Sequence, residues 1–433
     1  MSTTADSSKE LHKTLTISRG VGLAVSMIVG SGLLVLPGLA YASVGSAAVF
    51  AWVAAAIMVI PLLLVFSKLG SRYPSAGGVI GFMQAAFGRR VASPVAYVLL
   101  GATACGGAAM AITGGNYTAV LLGMPDAVFP ATLAYLAVVA VLNALGSRLA
   151  GGVQTVVTAL LVLLIAVVAA VPFVTPGFEM QGSVSLPVNW LDLLPAVGLV
   201  FFAFTGWELV ASTTEEYHDP RRDLPLVLAA SFVVIVVLYV GIATAVQVSL
   251  DPNDPMVRQA PVAAVLKQVF GAAAGTAAAV LGALIVFATL MGGTWATSRI
   301  IFATARERLL PARLTVCNRV NGAPVAAIVV AVLMFGTVVV LHGVEVLTLD
   351  QVFRLSAVNF IIGYAMSALA YGTLFRGPRN WLLVVLACAP VVVLLIGFGW
   401  MLLYPLGLLI AGSVVHVLTA EKDPVPVAAP PAD

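Results

Sequence analysis

The sequence predicts an all-α, polytopic membrane protein of about twelve transmembrane helices. Of its 433 residues, 61% are hydrophobic and only 9% are charged, whereas soluble domains carry about 25% charged residues. The apolar segments are about 20 residues long, the length that an α-helix needs to cross the hydrocarbon core. They lack the short alternating pattern of outer-membrane strands. A helical bundle is therefore the expected architecture.

The apolar segments follow one another with short polar connections. They lie at 17–40, 45–68, 92–122, 127–146, 150–173, 191–214, 224–249, 271–304, 324–342, 352–375, 380–397 and 399–418. Between the second and third, residues 75–90 are too polar to span, and their apolar side chains recur at helical spacing, which is typical of a helix at the membrane surface. Residues 1–16 form a polar tail, and the Pro- and Ala-rich residues 419–433 a disordered one.

The basic residues predict the orientation. Nearly all of them fall in connections on one side, whereas the opposite loops keep mainly Arg258 and Lys267. By the positive-inside rule, both termini are cytoplasmic in a multi-pass protein of the cytoplasmic membrane. The three cysteines are far apart, so neither a disulfide framework nor a metal site is expected. No cofactor is predicted, and the small net charge of +3 gives no reason to expect nucleic-acid binding.

The first span carries two glycines around a serine, in the run Met27-Ile28-Val29-Gly30-Ser31-Gly32-Leu33. Because glycine costs about 1 kcal/mol relative to alanine in a helix interior, this run predicts a break in the helix. Backbone groups freed inside a membrane are tolerated only where protein, ligand or a watery cavity satisfies them. The half-helix after the break would aim its free N–H groups at the same place, which suits a carboxylate. Alternatively, the glycines only allow two helices to pack closely.

The sixth span carries a glycine and then an ionisable carboxyl, in the run Phe202-Ala203-Phe204-Thr205-Gly206-Trp207-Glu208. An acid at membrane depth is costly and indicates a functional site by default. Glu208 either takes part in gating or coupling, or it holds an unwound backbone by hydrogen bonds, and the two interpretations are compatible.

Spans one and six are an odd number of spans apart, so the two interrupted helices cross the membrane in opposite directions. Glycine-interrupted segments at corresponding positions of two inverted halves are the best sequence indication of a transporter's midplane site. The two halves show no residue-by-residue similarity, and the repeat is inferred from spacing and orientation.

Four motifs in order resemble the amino acid/polyamine/organocation transporter family. They are Ile28–Gly32, Arg72–Gly78 with Ala86–Gly88, Phe202–Glu208 with Glu215–Glu216 and Asp219–Pro225, and Ser298–Arg299 with Ala305–Pro311. The chain is most similar to the bacterial branch that exports methionine and branched-chain amino acids. The resemblance implies a five-plus-five inverted-repeat core over residues 17–375, with two additional helices over 376–418.

The resemblance also implies which residues bind substrate. The carboxylate and ammonium groups of an amino acid would be held at Ile28, Val29, Gly30, Ser31 and Gly32, and at Phe202, Phe204, Thr205, Gly206 and Trp207. Freed N–H groups after the first break suit the carboxylate, and carbonyls freed at the second suit the ammonium. The aromatic side chains, with Trp295, offer an apolar wall, so methionine, leucine, isoleucine and valine are the expected substrates. Export as a proton antiporter is expected from the resemblance alone, and an importer or exchanger of the same fold is the alternative.

The coupling ion is less clearly indicated. Proton-coupled relatives carry a lysine in span five, but residues 154–170 contain none. Glu208, the remaining acid well inside a span, is therefore the first candidate for proton coupling. Sodium is less favoured, since Thr289 and Thr294 on span eight are as well explained by bonds to their own backbone. The 215–223 cluster is explained equally by a solvated turn that begins the next helix.

Two other classes of protein fit less well. The four histidines lie in tails, loops or near span ends, so an integral membrane enzyme would lack its acid–base groups. A channel needs carbonyls or charges along a continuous pore, whereas this chain offers two breaks at one depth. Arg354, near the start of span ten, is expected to reach toward the headgroups. The oligomeric state is not indicated.

Overall fold

A computed structural model describes residues 16–73, 78–145, 152–212, 217, 219–306, 310–318 and 322–420, with the backbone alone for Glu208 and a few others. These residues form α-helices and short 3₁₀ turns, without a β-strand among the described ranges. The helices, in chain order, are α1 (Ile17–Ile28), α2 (Leu36–Val44), α3 (Ala48–Arg72), α4 (Gly78–Phe87), α5 (Arg89–Leu122), α6 (Val128–Ala144), α7 (Gly152–Val174), α8 (Leu194–Phe201), α9 (Trp207–Ser212), α10 (Pro220–Ser249), α11 (Pro255–Gln259), α12 (Pro261–Phe270), α13 (Ala272–Arg306), α14 (Val325–Gly343), α15 (Leu349–Leu374), α16 (Pro378–Ile396) and α17 (Leu403–Ala420).

Ten helical segments of the described chain are long and apolar enough to cross a membrane. One of them, Leu36–Arg72, contains α2, a 3₁₀ turn and α3, and its 37 residues are too many for one crossing at 1.5 Å per residue. The first crossing is therefore the interrupted pair α1 and α2, and the sixth is the interrupted pair α8 and α9. Counting each pair once gives twelve crossings close to the predicted positions. The chain is thus an all-helical, multi-pass membrane protein.

Local sequence explains where several helices begin. Thr348 and Gln351 form a reciprocal capping box at the start of α15, and the carboxylate of Asp254 accepts the amide of Met256 at the start of α11. Both devices satisfy amides that have no acceptor within the helix. Pro220 lies in the first turn of α10, where its missing N–H costs nothing. Asp219 occupies the N-cap position without a side-chain bond to the backbone.

The amphipathic segment after the second span forms α4. Its Phe82 and Met83 are buried, whereas Gln84 is exposed. The apolar face lies against α5 and α15, so the predicted surface helix packs on the protein's own bundle. The predicted segment began at residue 75, but residues 74–77 lie outside the described part.

Helix α5 lies at the centre of the bundle, with 72% of its apolar membrane-spanning stretch buried. Helix α5 packs against α13, α15 and α17, while α3 packs against α10 and α8. Of the last two helices, α16 lies on α15 and α3, and α17 lies on α5. Helix α17 continues to Ala420, and the residues of the predicted tail beyond it lie outside the description.

At the end of the bundle where α2 finishes, two segments cover the helix ends. Helix α2 lies so close to the α11–α12 pair that a methyl group at Gly38 would overlap the carbonyl oxygen of Val257. The loop between α7 and α8 crosses the same end, and the buried amide of Gln247 holds it there. Its Nε2 donates to the carbonyls of Ser46 (2.7 Å) and Ser183 (2.8 Å). Both segments therefore cover helix ends on this side of the described bundle.

Arg354 on α15 does not extend toward lipid headgroups, as its position near the helix start suggested. Its guanidinium donates to the carbonyl oxygen of Gly397 and lies 5.6 Å from the centre of the Phe398 ring. That ring in turn fills the space beside Gly198 of α8. Inside the bundle, the Gly397 carbonyl and the face of the Phe398 ring take the place of water around the guanidinium. Arg354 therefore connects α15 to the turn between α16 and α17.

Candidate functional site

The first helix is broken where the two glycines predicted. Helix α1 ends at Ile28, Val29 and Gly30 are extended, and a 3₁₀ turn covers Ser31–Leu34 before α2 begins at Leu36. The first amides of a helical segment have no acceptor within it. The backbone amides of Ser31 and Gly32 therefore lie at the break without an acceptor in the 3₁₀ turn.

The sixth span is broken in the same way. Helix α8 ends at Phe201, a 3₁₀ turn covers Phe202–Phe204, and an extended Thr205 and then Gly206 precede α9, which begins at Trp207. Gly206 has φ of +112°, a conformation that glycine adopts freely and other residues rarely adopt. Glycine is therefore required here by the backbone itself.

The two breaks lie against each other. A methyl group at Gly206 would lie 3.2 Å from the carbonyl oxygen of Met27, and one at Gly32 would lie 3.3 Å from the Phe202 ring. The end of α1 thus meets the start of α9, and the 3₁₀ turn after α1 meets the one after α8. The structure brings together the two stretches that the sequence separates by about 170 residues.

Tyrosine hydroxyls satisfy much of the backbone freed at the breaks. Tyr239 of α10, fully buried, shares its single hydroxyl proton between the carbonyls of Ile28 (3.2 Å) and Ala203 (2.8 Å) and so joins the two breaks. Tyr364 accepts the amide of Gly206 at 2.9 Å. Tyr117 donates to the carbonyl of Leu34 at 2.8 Å. These contacts meet the requirement that backbone groups at membrane depth find partners.

Aromatic side chains surround the breaks. Phe202, 8% exposed, packs edge-to-face on Phe353 with 5.0 Å between ring centres. A methyl group at Gly106 would lie 3.3 Å from the same ring. Phe204 lies 5.0 Å from Tyr239, ring centre to ring centre. The neighbourhood of Phe202 is therefore apolar.

Two tryptophans lie outside this group of aromatic rings around Phe202. Trp207 is fully buried and faces Phe232 of α10. Trp295, considered from the sequence as part of the apolar wall, is 45% exposed, with the guanidinium of Arg299 4.3 Å above its ring. It therefore serves a cation–π contact instead of packing among the buried rings.

A few buried polar atoms near the breaks have no partner among the described residues. They include the Ser31 hydroxyl at the first break and the Thr294 hydroxyl on α13, a helix that packs against the 3₁₀ turn Ser31–Leu34. Thr289, by contrast, donates to the carbonyl of Ile285 in its own helix. A buried hydroxyl without a partner carries a desolvation cost, which a bound polar group would remove.

Glu208 is the second residue of α9, and its side chain lies outside the description, as do Glu215, Glu216 and His218. Within the described chain, no group of three or more His, Cys, Asp or Glu side chains is placed to hold a metal ion. What the described site offers is therefore backbone donors and acceptors, a serine hydroxyl and aromatic rings.

The sequence did not indicate several residues of this site. Tyr239, Tyr364, Phe353 and Gly106 lie on α10, α15 and α5, inside apolar spans where a tyrosine, phenylalanine or glycine carries no periodic signal. A tyrosine buried in an apolar helix needs a partner for its hydroxyl. That requirement is the one signal that marks Tyr239 and Tyr364 in advance, and it does not identify the partner.

Comparison with known proteins gives a family and several full-length relatives. The amino acid permease family model matches residues 15–420. The uncharacterized amino acid permease YecA of Bacillus subtilis is 27% identical over 420 residues, covering 93% of this chain and 95% of the relative. The L-methionine/branched-chain amino acid exporter YjeH of Escherichia coli is 30% identical over 415 residues, with the same coverage. The branched-chain amino acid permease BcaP of Bacillus subtilis is 25% identical over 440 residues, covering 92% of this chain and 91% of the relative.

These matches run the length of the described bundle, both breaks included, and the family and its relatives are transporters and not enzymes. Because the amino acid permease family model matches nearly the whole chain, the chain belongs to that family.

Proposed function

We propose that the protein is a secondary active transporter that exports methionine, leucine, isoleucine and valine across the cytoplasmic membrane by alternating access, in antiport with protons. The observation that carries the proposal is the pairing of the two breaks around the unpartnered Ser31 hydroxyl, beside the apolar wall at Phe202. Amides at the start of a helical turn suit a carboxylate, and carbonyls at the end of a helix suit an ammonium. The wall suits an apolar side chain. The names of YjeH and BcaP support the same substrates.

Flux is the direct test. Purified protein in liposomes preloaded with labelled methionine or leucine should release the amino acid when an inward proton gradient is applied. Labelled lysine and glutamate serve as controls, because neither charged side chain fits the wall. If methionine and leucine stay inside under every gradient while another amino acid moves, the substrate assignment is wrong although the family is unchanged. If methionine and leucine leave the liposomes equally fast without a proton gradient, proton antiport is wrong. The alternative is then an importer or exchanger of the same fold.

Glu208→Gln should abolish gradient-driven efflux and leave exchange of internal for external methionine intact. The reason is that glutamine cannot carry a proton, whereas the binding of substrate at the breaks needs no charge at position 208. Glu179→Gln is the control, since Glu179 is exposed in the α7–α8 loop. The measurement is efflux and exchange in the same liposomes. Normal gradient-driven efflux by Glu208→Gln would show that Glu208 takes no part in proton coupling.

Ser31→Ala should weaken methionine binding about tenfold or more without destabilising the protein. A hydrogen bond to a charged group contributes about 1.5–3 kcal/mol, and the hydroxyl of Ser31 has no described partner to lose in the free protein. Binding is measured by scintillation proximity with labelled methionine, and stability by the thermal midpoint in detergent. Ser413→Ala is the matched control, because Ser413 only bonds the carbonyl of Leu409 in its own exposed turn. An unchanged affinity of Ser31→Ala for methionine would show that the substrate's carboxylate binds elsewhere.

A further inference from the structure

Two cavities adjoin on the flank of the bundle, away from the breaks. The first, of about 370 Å³, lies between the end of α5, the end of α12 and the start of α13. The second, of about 420 Å³, is a groove between α6 and α13. Leu121 lines both cavities, and Ala279 of the first is followed directly by Val280 of the second. Together they form one path that runs from a helix end down the side of the bundle.

The two parts of this path differ in chemistry. The cavity at the helix ends contains the polar side chains of Gln259, Lys267 and Thr276. The groove is lined by apolar side chains and the ring of Tyr135. Val138 and Leu284 on its rim are exposed, and both belong to helices long and apolar enough to span a membrane. The groove therefore opens to the lipid.

The polar cavity contains one described cation, the ammonium group of Lys267. Lys267 lies in the last turn of α12 and is exposed, and no described residue gives it a hydrogen bond or an ion pair. Asp126 follows the lining residue Pro125, and Asp254 lies two residues before the lining residue Met256; neither forms an ion pair with Lys267 in the described structure. Helix α13 begins at Ala272 beside Lys267, and its first amides and positive dipole end add to the charge of the ammonium.

We propose that this path binds one anionic phospholipid, with its phosphate between Lys267 and the start of α13 and one acyl chain in the groove between α6 and α13. A polar end that carries a lysine, joined to a lipid-facing apolar groove, matches the headgroup and the acyl chain of an anionic phospholipid. A free phosphate ion would leave the groove unused. The site does not depend on which amino acid the protein carries.

Bound lipid would join three helices. α5 and α13 both pack against the 3₁₀ turn Ser31–Leu34 of the first break, whereas α6 packs on both from the outer flank. An acyl chain between α6 and α13 fills space that protein side chains leave open. We therefore expect the lipid to stabilise the purified protein.

Native mass spectrometry on the full chain tests the proposal, with phosphatidylglycerol and phosphatidylcholine as probes. We expect one phosphatidylglycerol to survive delipidation and to bind in preference to phosphatidylcholine. Lys267→Gln should lower its occupancy about fivefold, because one cation near a membrane surface contributes about 1 kcal/mol to anionic lipid binding. Ala134→Leu, which fills the groove at an exposed position, should lower it similarly.

Two variants serve as controls. Ala137→Leu adds the same bulk to an exposed position of α6 outside the groove, and Arg376→Gln removes an exposed cation elsewhere. Both should retain the lipid, and all four variants should keep the native thermal midpoint in phosphatidylcholine. Equal retention of both lipids by every variant would show an unspecific lipid layer and overturn the proposal. Displacement of the lipid by inorganic phosphate alone, with Ala134→Leu unaffected, would also overturn it in favour of an ion site.

Discussion

Replacing Gly38 by alanine should reduce the initial rate of methionine efflux about a hundredfold. A methyl group at this position of α2 would overlap the carbonyl oxygen of Val257 and lie 2.9 Å from Cβ of Pro261. Overpacking typically costs about 1–3 kcal/mol, and this overlap meets backbone that no side-chain rotation can clear. Helix α2 would have to move away from α11 and α12. A cost of about 3 kcal/mol lowers the population of the arrangement in which α2 packs on α11 and α12 by roughly a hundredfold.

Gly336→Ala is the matched control for this variant, because a methyl group at Gly336 would meet nothing within 4 Å. Both proteins are compared by efflux rate and by elution as a monodisperse peak, which separates a blocked carrier from an unfolded one. A Gly38→Ala protein that elutes normally but transports slowly supports closure of α2 onto α11 and α12 as part of the cycle. A native rate would mean that this contact is dispensable.

Tyr239→Phe should lower the maximal rate about thirtyfold and raise KM. The variant keeps the ring in its edge-to-face contacts with Trp52 and Phe204 but leaves the carbonyls of Ile28 and Ala203 without their donor. A buried polar group left unpaired costs about 1–3 kcal/mol, and loss of this one shared proton is expected to cost about 2 kcal/mol. The two breaks would no longer be held in register, which affects binding as well as turnover.

Tyr404→Phe is the control for Tyr239→Phe. Its hydroxyl also donates to a backbone carbonyl, that of Gly101 at 3.2 Å, but it joins α17 to α5 away from the breaks. The decisive comparison is KM for methionine. If both variants change rate and KM alike, Tyr239 contributes only general stability and does not position the site.

Much of the fold could be predicted from the sequence because the membrane imposes it. Runs of about 20 apolar residues must be helices in lipid, and the glycines at Gly30, Gly32 and Gly206 mark the breaks because they weaken a helix. The positions of the interrupted spans were predicted for this reason. Helices α11 and α12 were not, since 255–270 is a mixed segment in a loop where no membrane dictates the structure.

The contacts around the breaks could not be predicted, because they join distant parts of the chain. Arg354 shows the difficulty, as an arginine near the start of a span reaches headgroups as readily as it reaches a carbonyl. Which of the two it contacts depends on the position of the Gly397 carbonyl, which lies 43 residues further along the chain. Phe202 and Gly106 touch for a similar reason, since the rotation of one helix about its axis against another is not encoded in hydropathy.

The bonds of Tyr239 and Tyr117 also constrain the order in which the protein is assembled. The ribosome delivers α1 and α2 first, and neither half, of 12 and 9 residues, is long enough to cross the bilayer alone. The donor to Leu34 arrives with α5 and the donor to Ile28 arrives only with α10. A carbonyl exposed to hydrocarbon costs several kcal/mol. We therefore expect the first span to enter the membrane as a nearly continuous helix and to open into two halves only after the seventh span has been inserted.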